Sequence, residues 1–106
     1  MNSIRLKQLF KFLEEDPQDP FLIYAIATEY REDSPEKARQ YFELLLKEHE
    51  NYIGTYYHAA KLYADLEENT LAKATFEKGI QLAQKTGNAL ALRELKSAYD
   101  EFLFDE

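Results

Sequence analysis

The side chains with the reach for chemistry in this chain are two histidines, three serines and many carboxylates, and their spacing speaks against catalysis. His49 and His58 lie nine positions apart, off a common helix face, and neither an HxxxH nor an HExxH pattern occurs, so the pair lacks the spacing of a zinc site. They read as one turn residue and one partly exposed helix residue. Ser3, Ser34 and Ser97 fall at helix caps or on helix surfaces without an adjacent base, so no activated nucleophile is expected. Tyr52-Ile53-Gly54 and Thr86-Gly87-Asn88 resemble no phosphate-cradling loop. Carboxylates cluster in Glu14-Glu15-Asp16, Glu67-Glu68, and Asp100-Glu101 with Asp105-Glu106. Paired carboxylates do acid–base work in a cleft that drives their pKa values apart. At helix ends and polar faces they are solvated charge. The chain therefore reads as a non-enzyme with no catalytic residue, no cofactor and no metal site.

Charge and composition narrow the partners. Thirteen Lys and Arg against twenty Asp and Glu give a formal charge of −7. Nucleic acids and anionic membranes are held by dense positive charge, so neither is an expected partner. The absence of cysteine removes disulfides, thiol catalysis and thiolate metal sites together and is compatible with a reducing compartment. The N-terminus, MNSIRLKQLFKFLEED, intersperses charge and lacks the apolar core and small-residue cleavage site of a signal peptide. Apolar runs stay far short of the roughly 20 residues that span a bilayer. A cytoplasmic protein is expected, and 45% hydrophobic residues with three Gly and three Pro favour one folded helical domain.

Six helices account for the chain. Ser3 is a candidate cap, and Ile4, Leu6, Leu9, Phe10, Phe12 and Leu13 recur at helical spacing up to Glu15. Asp16-Pro17 ends that helix, and Asp19-Pro20 opens the next, expected from Pro20 to Glu32 with Leu22, Ile23, Ile26, Ala27 and Tyr30 on its apolar face. Ser34-Pro35 repeats the opening signal for a third helix through Ala38, Tyr41, Phe42, Leu45 and Leu46. Helix four is expected over 52–67 and helix five over 70–85, with Asn69 capping the latter. Gly87 suits a left-handed helix end, Asn88 the next cap, and a sixth helix over 89–104 carries Leu92, Leu95, Tyr99, Phe102 and Leu103. No stretch alternates with period two, so no strand is expected. The short connections predict antiparallel neighbours.

Two stretches repeat. Ile23, Ala27 and Tyr30 recur 33 residues later as Tyr56, Ala60 and Tyr63, and Ala38 and Phe42 recur 34 residues later as Ala72 and Phe76. The one-residue difference lies in the turn between the paired helices. This arrangement resembles the tetratricopeptide repeat family, whose hairpins of about 34 residues set small and aromatic residues at fixed positions. Its first helix has a large residue, a small one four on and an aromatic three further, as in Ile23-Ala27-Tyr30 and Tyr56-Ala60-Tyr63. Its second helix has alanine, an aromatic and a small residue, matched by Ala72-Phe76-Gly79, while Ala38-Phe42-Leu45 departs at its last position. The family's tryptophan is absent and its glycine is alanine. Leu9, Phe12 and Asp16-Pro17 place the first helix in step with the second half of a repeat.

The resemblance implies an all-α, right-handed stack of antiparallel helical hairpins, an α-solenoid of the small, stand-alone bacterial type. As a single domain over 1–106, it divides into a half-repeat helix (1–17), repeat one (18–51), repeat two (52–86) and a capping helix (87–106). Ala27, Ala60, Ala38 and Ala72 are then expected at close helix crossings, where a larger side chain would force the helices apart. Proteins of this kind usually act as scaffolds that bind other proteins, without enzymatic activity.

By the same resemblance the first helix of each repeat lines a concave groove. The groove positions are Phe21, Tyr24, Thr28 and Arg31 in repeat one and Tyr57, His58, Lys61 and Asp65 in repeat two. Tyr24 and Tyr57 occupy equivalent positions and either line the groove or pack against adjacent helices. Tyrosine suits a peptide-binding surface, and Arg31, Lys61 and His58 favour an acidic or C-terminal segment of a protein partner. The chaperone-binding members of the family use a carboxylate clamp, but its matching positions hold Tyr24, Thr28 and His58, so that activity does not carry over. Phe102, Leu103 and Phe104 form a second surface, because three consecutive apolar residues cannot all turn inward from one helix. Phe104 either folds back over the last hairpin, the preferred reading, or joins a homodimer contact in a self-assembling structural module.

Overall fold

Asp-Pro and Ser-Pro pairs punctuate the first half of the chain, and helices start where those pairs place them. The structure, a computed structural model, describes residues 3–105. In order these form α1 (Ser3–Glu15), α2 (Pro20–Tyr30), α3 (Pro35–Glu48), α4 (Gly54–Asp65), α5 (Asn69–Thr86) and α6 (Ala89–Asp105). Among the described residues there is no strand, and the fold is all-α. Met1, Asn2 and Glu106 lie outside the described residues, and with them part of the leader reading and of the Asp105-Glu106 pair. The chain divides into two compact units, one ending at Tyr52 and the other beginning at Ile53.

In the first unit α1 packs on α2 and α2 on α3. Asp19 caps α2 by accepting the Phe21 N–H at 2.9 Å, with Pro20 at the first helical position. The helix stops at Tyr30, two residues short of the expected end. There the Arg31 N–H reaches only to the Thr28 carbonyl, at 3.3 Å, so the ladder tightens and ends. Ser34 precedes Pro35 as expected, but its side chain makes no cap bond; its carbonyl accepts the Ala38 N–H at 3.0 Å instead. Leu6 and Leu9 meet Ala25 and Ile26 in a buried cluster edged by Phe10, Tyr30 and Tyr41. Tyr30 and Tyr41 stack 6.0 Å apart, 13° from parallel, and Lys37 sits 5.4 Å above the Tyr30 ring. The apolar face expected of α1 is too wide: Ile4 is 72% exposed and Phe12 53%. Only the stripe of Leu6 and Leu9, with half-buried Phe10 and Leu13, is covered.

In the second unit α4, α5 and α6 all pack on one another. Residues 49–52 form a turn in which the Tyr52 N–H donates to the His49 carbonyl at 2.9 Å, so α4 starts at Gly54 rather than at 52. Its other end also comes early. Glu67 takes the left-handed conformation with φ of 60° and is, among the described residues, the one non-glycine residue with positive φ. Its N–H donates to the Ala64 carbonyl at 3.0 Å and that of Glu68 to Tyr63 at 2.8 Å, the two bonds of a Schellman helix end. The end of α5 has the same two bonds, Gly87 to Gln84 and Asn88 to Ala83, with Gly87 left-handed as expected. Asn88 then caps α6 by accepting the Ala91 N–H at 3.0 Å. The extra residue of the second repeat does not lie in the turn as expected: residues 66–68 separate α4 from α5 where 31–34 separate α2 from α3. Instead α4 runs two residues past Tyr63, ending in a tighter turn that costs Glu67 a left-handed backbone. This turn also displaces the expected cap: α5 begins at Asn69 itself, with Glu68 before it making no side-chain cap bond.

The small residues sit where helices approach. Ala27, Ala38, Ala60 and Ala72 are each fully buried. A Cβ added at Gly79 on α5 would lie 2.6 Å from the Tyr56 Cβ on α4, closer than packed carbons come. Phe76 is buried against two α6 rings, Tyr99 at 5.4 Å and Phe102 at 5.6 Å. Phe104 overturns the fold-back reading. It is 89% exposed, whereas Phe102, two positions earlier and turned by half the helix circumference, carries the packing.

Candidate interaction surface

The residues expected to meet a partner are distributed over both units, and each unit shows how its own are held. On α2, Phe21 is 56% exposed. Tyr24 is half-buried with its ring 5.7 Å from Tyr52 at 56°. Burial, and secondarily the neighbouring Tyr52 phenol, pushes the Tyr24 pKa above the ordinary phenol value. The Tyr52 phenol is also raised, by burial first and by Asp19 second. Both therefore stay neutral and able to donate throughout the physiological range. Thr28 donates its hydroxyl to the Ala25 carbonyl at 3.0 Å, and half-buried Arg31 forms the C-cap of α2.

On α4, three of the four expected residues touch in series. The His58 ring meets Tyr57 edge-on, with centroids 5.3 Å apart and planes at 77°. The Lys61 ammonium lies 3.3 Å from the Tyr57 hydroxyl and 5.0 Å from its ring centre, so one turn of helix presents a phenol clasped by a cation. Asp65, one turn farther, is exposed. The other histidine opens a turn, as expected: His49 is half-buried as the C-cap of α3, its backbone N–H bonded to the Leu45 carbonyl at 2.8 Å and its Nε2 buried without a hydrogen-bond partner. Among the described residues, no three His, Asp or Glu side chains are grouped to hold a metal ion.

Beside this α4 face, within the second unit, lies a cavity of about 330 Å³. Lys61 and Asp65 border it from α4, Phe76 from α5, and Glu101, Phe102 and Asp105 from α6. The contribution of α6 went unseen in the sequence, where Phe102 was assigned to self-association. The signal was present. Ala98, Glu101, Phe102 and Asp105 fall at i, i+3, i+4 and i+7, one helix face, and all four line the cavity. No helix among the described residues is long and apolar enough to cross a membrane.

Neither a protein-family model nor a curated protein matches the chain significantly. Solved structures do. The chain is similar to the crystal structure of a tetratricopeptide repeat domain protein from Salinibacter ruber, at 37% identity and a TM-score of 0.78 over 83% of this chain and 99% of that one. It is likewise similar to the solution structure of a tetratricopeptide repeat domain protein from the same organism, at 39% identity and a TM-score of 0.76, covering 82% of this chain and 89% of that one. The helix order, the buried alanines at repeat spacing and this identity over most of the chain agree: the chain belongs to the tetratricopeptide repeat family.

Proposed function

We propose that the chain is a non-enzymatic protein-interaction module that holds a peptide segment of a partner against the first helices of its hairpins. The contact residues in this reading are Phe21, Tyr24, Thr28 and Arg31 on α2, and Tyr57, His58, Lys61 and Asp65 on α4. The observation that carries it is the cavity beside α4, because two residues that the family resemblance places on the groove, Lys61 and Asp65, border a concavity of ligand size. Tyr57 adds a half-buried ring with a polar tip next to it, the kind of side chain that anchors peptides.

A second reading has the chain dimerise through α6, favoured by the 89% exposure of Phe104 beside a Leu103 that is 42% exposed. A photo-crosslinking residue placed at Tyr57 or at Phe104 in living cells separates the two. Adducts of a different protein at Tyr57, with none at Phe104, are the expected result. An adduct of twice the chain mass at Phe104 with nothing at Tyr57 would replace the first reading by the second.

A further inference from the structure

We infer that the cavity beside α4 receives an arginine side chain of the bound segment, an assignment that rests on the partner-binding reading of that face. Its floor is aromatic. Phe76 and Phe102 lie 5.6 Å apart, and the half-buried Phe102 ring is the accessible member of the pair. Its rim is acidic, with Asp65 on α4 and Glu101 and Asp105 one turn apart on α6. Three carboxylates thus border a space that contains one cation. That cation is held to one side, because the Lys61 ammonium sits on Tyr57, at 3.3 Å from its hydroxyl and 5.0 Å from its ring centre.

The geometry selects among occupants. About 330 Å³ is near the lower end of ligand cavities, roughly 300–1,000 Å³, which fits one extended side chain and no folded element. An acidic side chain would bring a fourth carboxylate among three, so the preference for an acidic segment drawn from Arg31, Lys61 and His58 reverses at this cavity. An apolar side chain would use the floor and gain nothing from the charge of Glu101 and Asp105 on the rim. A basic one uses both. Arginine fits better than lysine, since its flat guanidinium lies on an aromatic ring while its edge forks onto carboxylates, and it gives up hydration more readily. The overall charge of −7 draws such a segment in from solution.

The test is selection from a phage-displayed library of random peptides on the immobilised full chain, followed by fluorescence anisotropy with the recovered sequences. The recovered peptides are expected to share an arginine. Replacing it by citrulline, which keeps the shape and removes the charge, should weaken binding on the order of tenfold or more. Glu101→Gln/Asp105→Asn should produce a similar loss at an unchanged melting temperature, because both residues are exposed, and the loss should shrink as salt is raised. Recovered peptides without a common arginine, whose binding is nevertheless abolished by Tyr57→Ala/Lys61→Glu, would overturn the arginine assignment and leave the partner-binding face standing. Citrulline peptides that bind as well as their parents would do the same. Recovery of no binding peptide would overturn both.

Discussion

Gly79→Ala sets two physical effects of opposite sign against each other, and the structure decides between them. In a helix interior alanine is favoured over glycine by about 1 kcal/mol, so propensity alone predicts stabilisation. The new Cβ, however, would stand 2.6 Å from the Tyr56 Cβ, 3.1 Å from its Cγ and 3.2 Å from a Leu95 methyl. The nearest of these atoms is fixed to the α4 backbone and cannot swing aside, so α4 and α5 must part. Overpacking of this kind costs about 1–3 kcal/mol, and so close an approach belongs at the upper end. The net expectation is a loss of about 1–2 kcal/mol. For a chain of this size that lowers the melting temperature by roughly 5–15 °C. The first repeat shows how the same space is otherwise filled: its equivalent positions hold Ile23 and Leu45, both buried, in place of Tyr56 and Gly79. Transplanting that pair as Tyr56→Ile/Gly79→Leu should therefore cost much less than Gly79→Leu alone, with a favourable coupling on the order of 1–3 kcal/mol in a double-mutant cycle. Thermal melts followed by circular dichroism provide the readout. A Gly79→Ala protein as stable as the parent, or additive effects in the cycle, would refute the close-approach argument.

Glu67→Gly should raise stability by about 1 kcal/mol in the same melts, because glycine removes the left-handed strain at the Schellman end of α4 as Gly87 does at the end of α5. Phe76→Ala should lower it by about 3–5 kcal/mol, since the ring is buried against Tyr99 and Phe102 and leaves a cavity. Asp19→Ala removes the carboxylate that accepts the Phe21 N–H and should cost about 1 kcal/mol by chemical denaturation. Phe104→Ser should leave the melting temperature within a degree or two, as expected of an exposed side chain, and any change in solution mass would report self-association instead.

The positions that were legible in the sequence are those where one residue type has few physical alternatives. Alanines at repeat spacing marked close helix approaches, and all four are fully buried. Gly87 marked a left-handed helix end, and Asp19-Pro20 a capped start. What escaped was decided by tertiary packing. The apolar residues of α1 recur around more of the helix than α2 covers, so Ile4 and Phe12 remain outside. Glu67 has no intrinsic preference for positive φ; the turn imposes it, and the displaced start of α5 follows. The acidic cavity rim needed α4 and α6 to be placed together. Asp65 and Glu101 are 36 positions apart in the chain, and only the packing of α6 on α4 makes them neighbours across one concavity.

The partner-binding claim is met most directly by affinity capture from a lysate of the cells that encode the chain, comparing the parent with a Tyr24→Ala/Tyr57→Ala/Lys61→Glu variant whose helical spectrum and melt match it. A protein retained by the parent and lost by the variant is the expected result. Equal retention by both, or no retained protein on either, would contradict the claim.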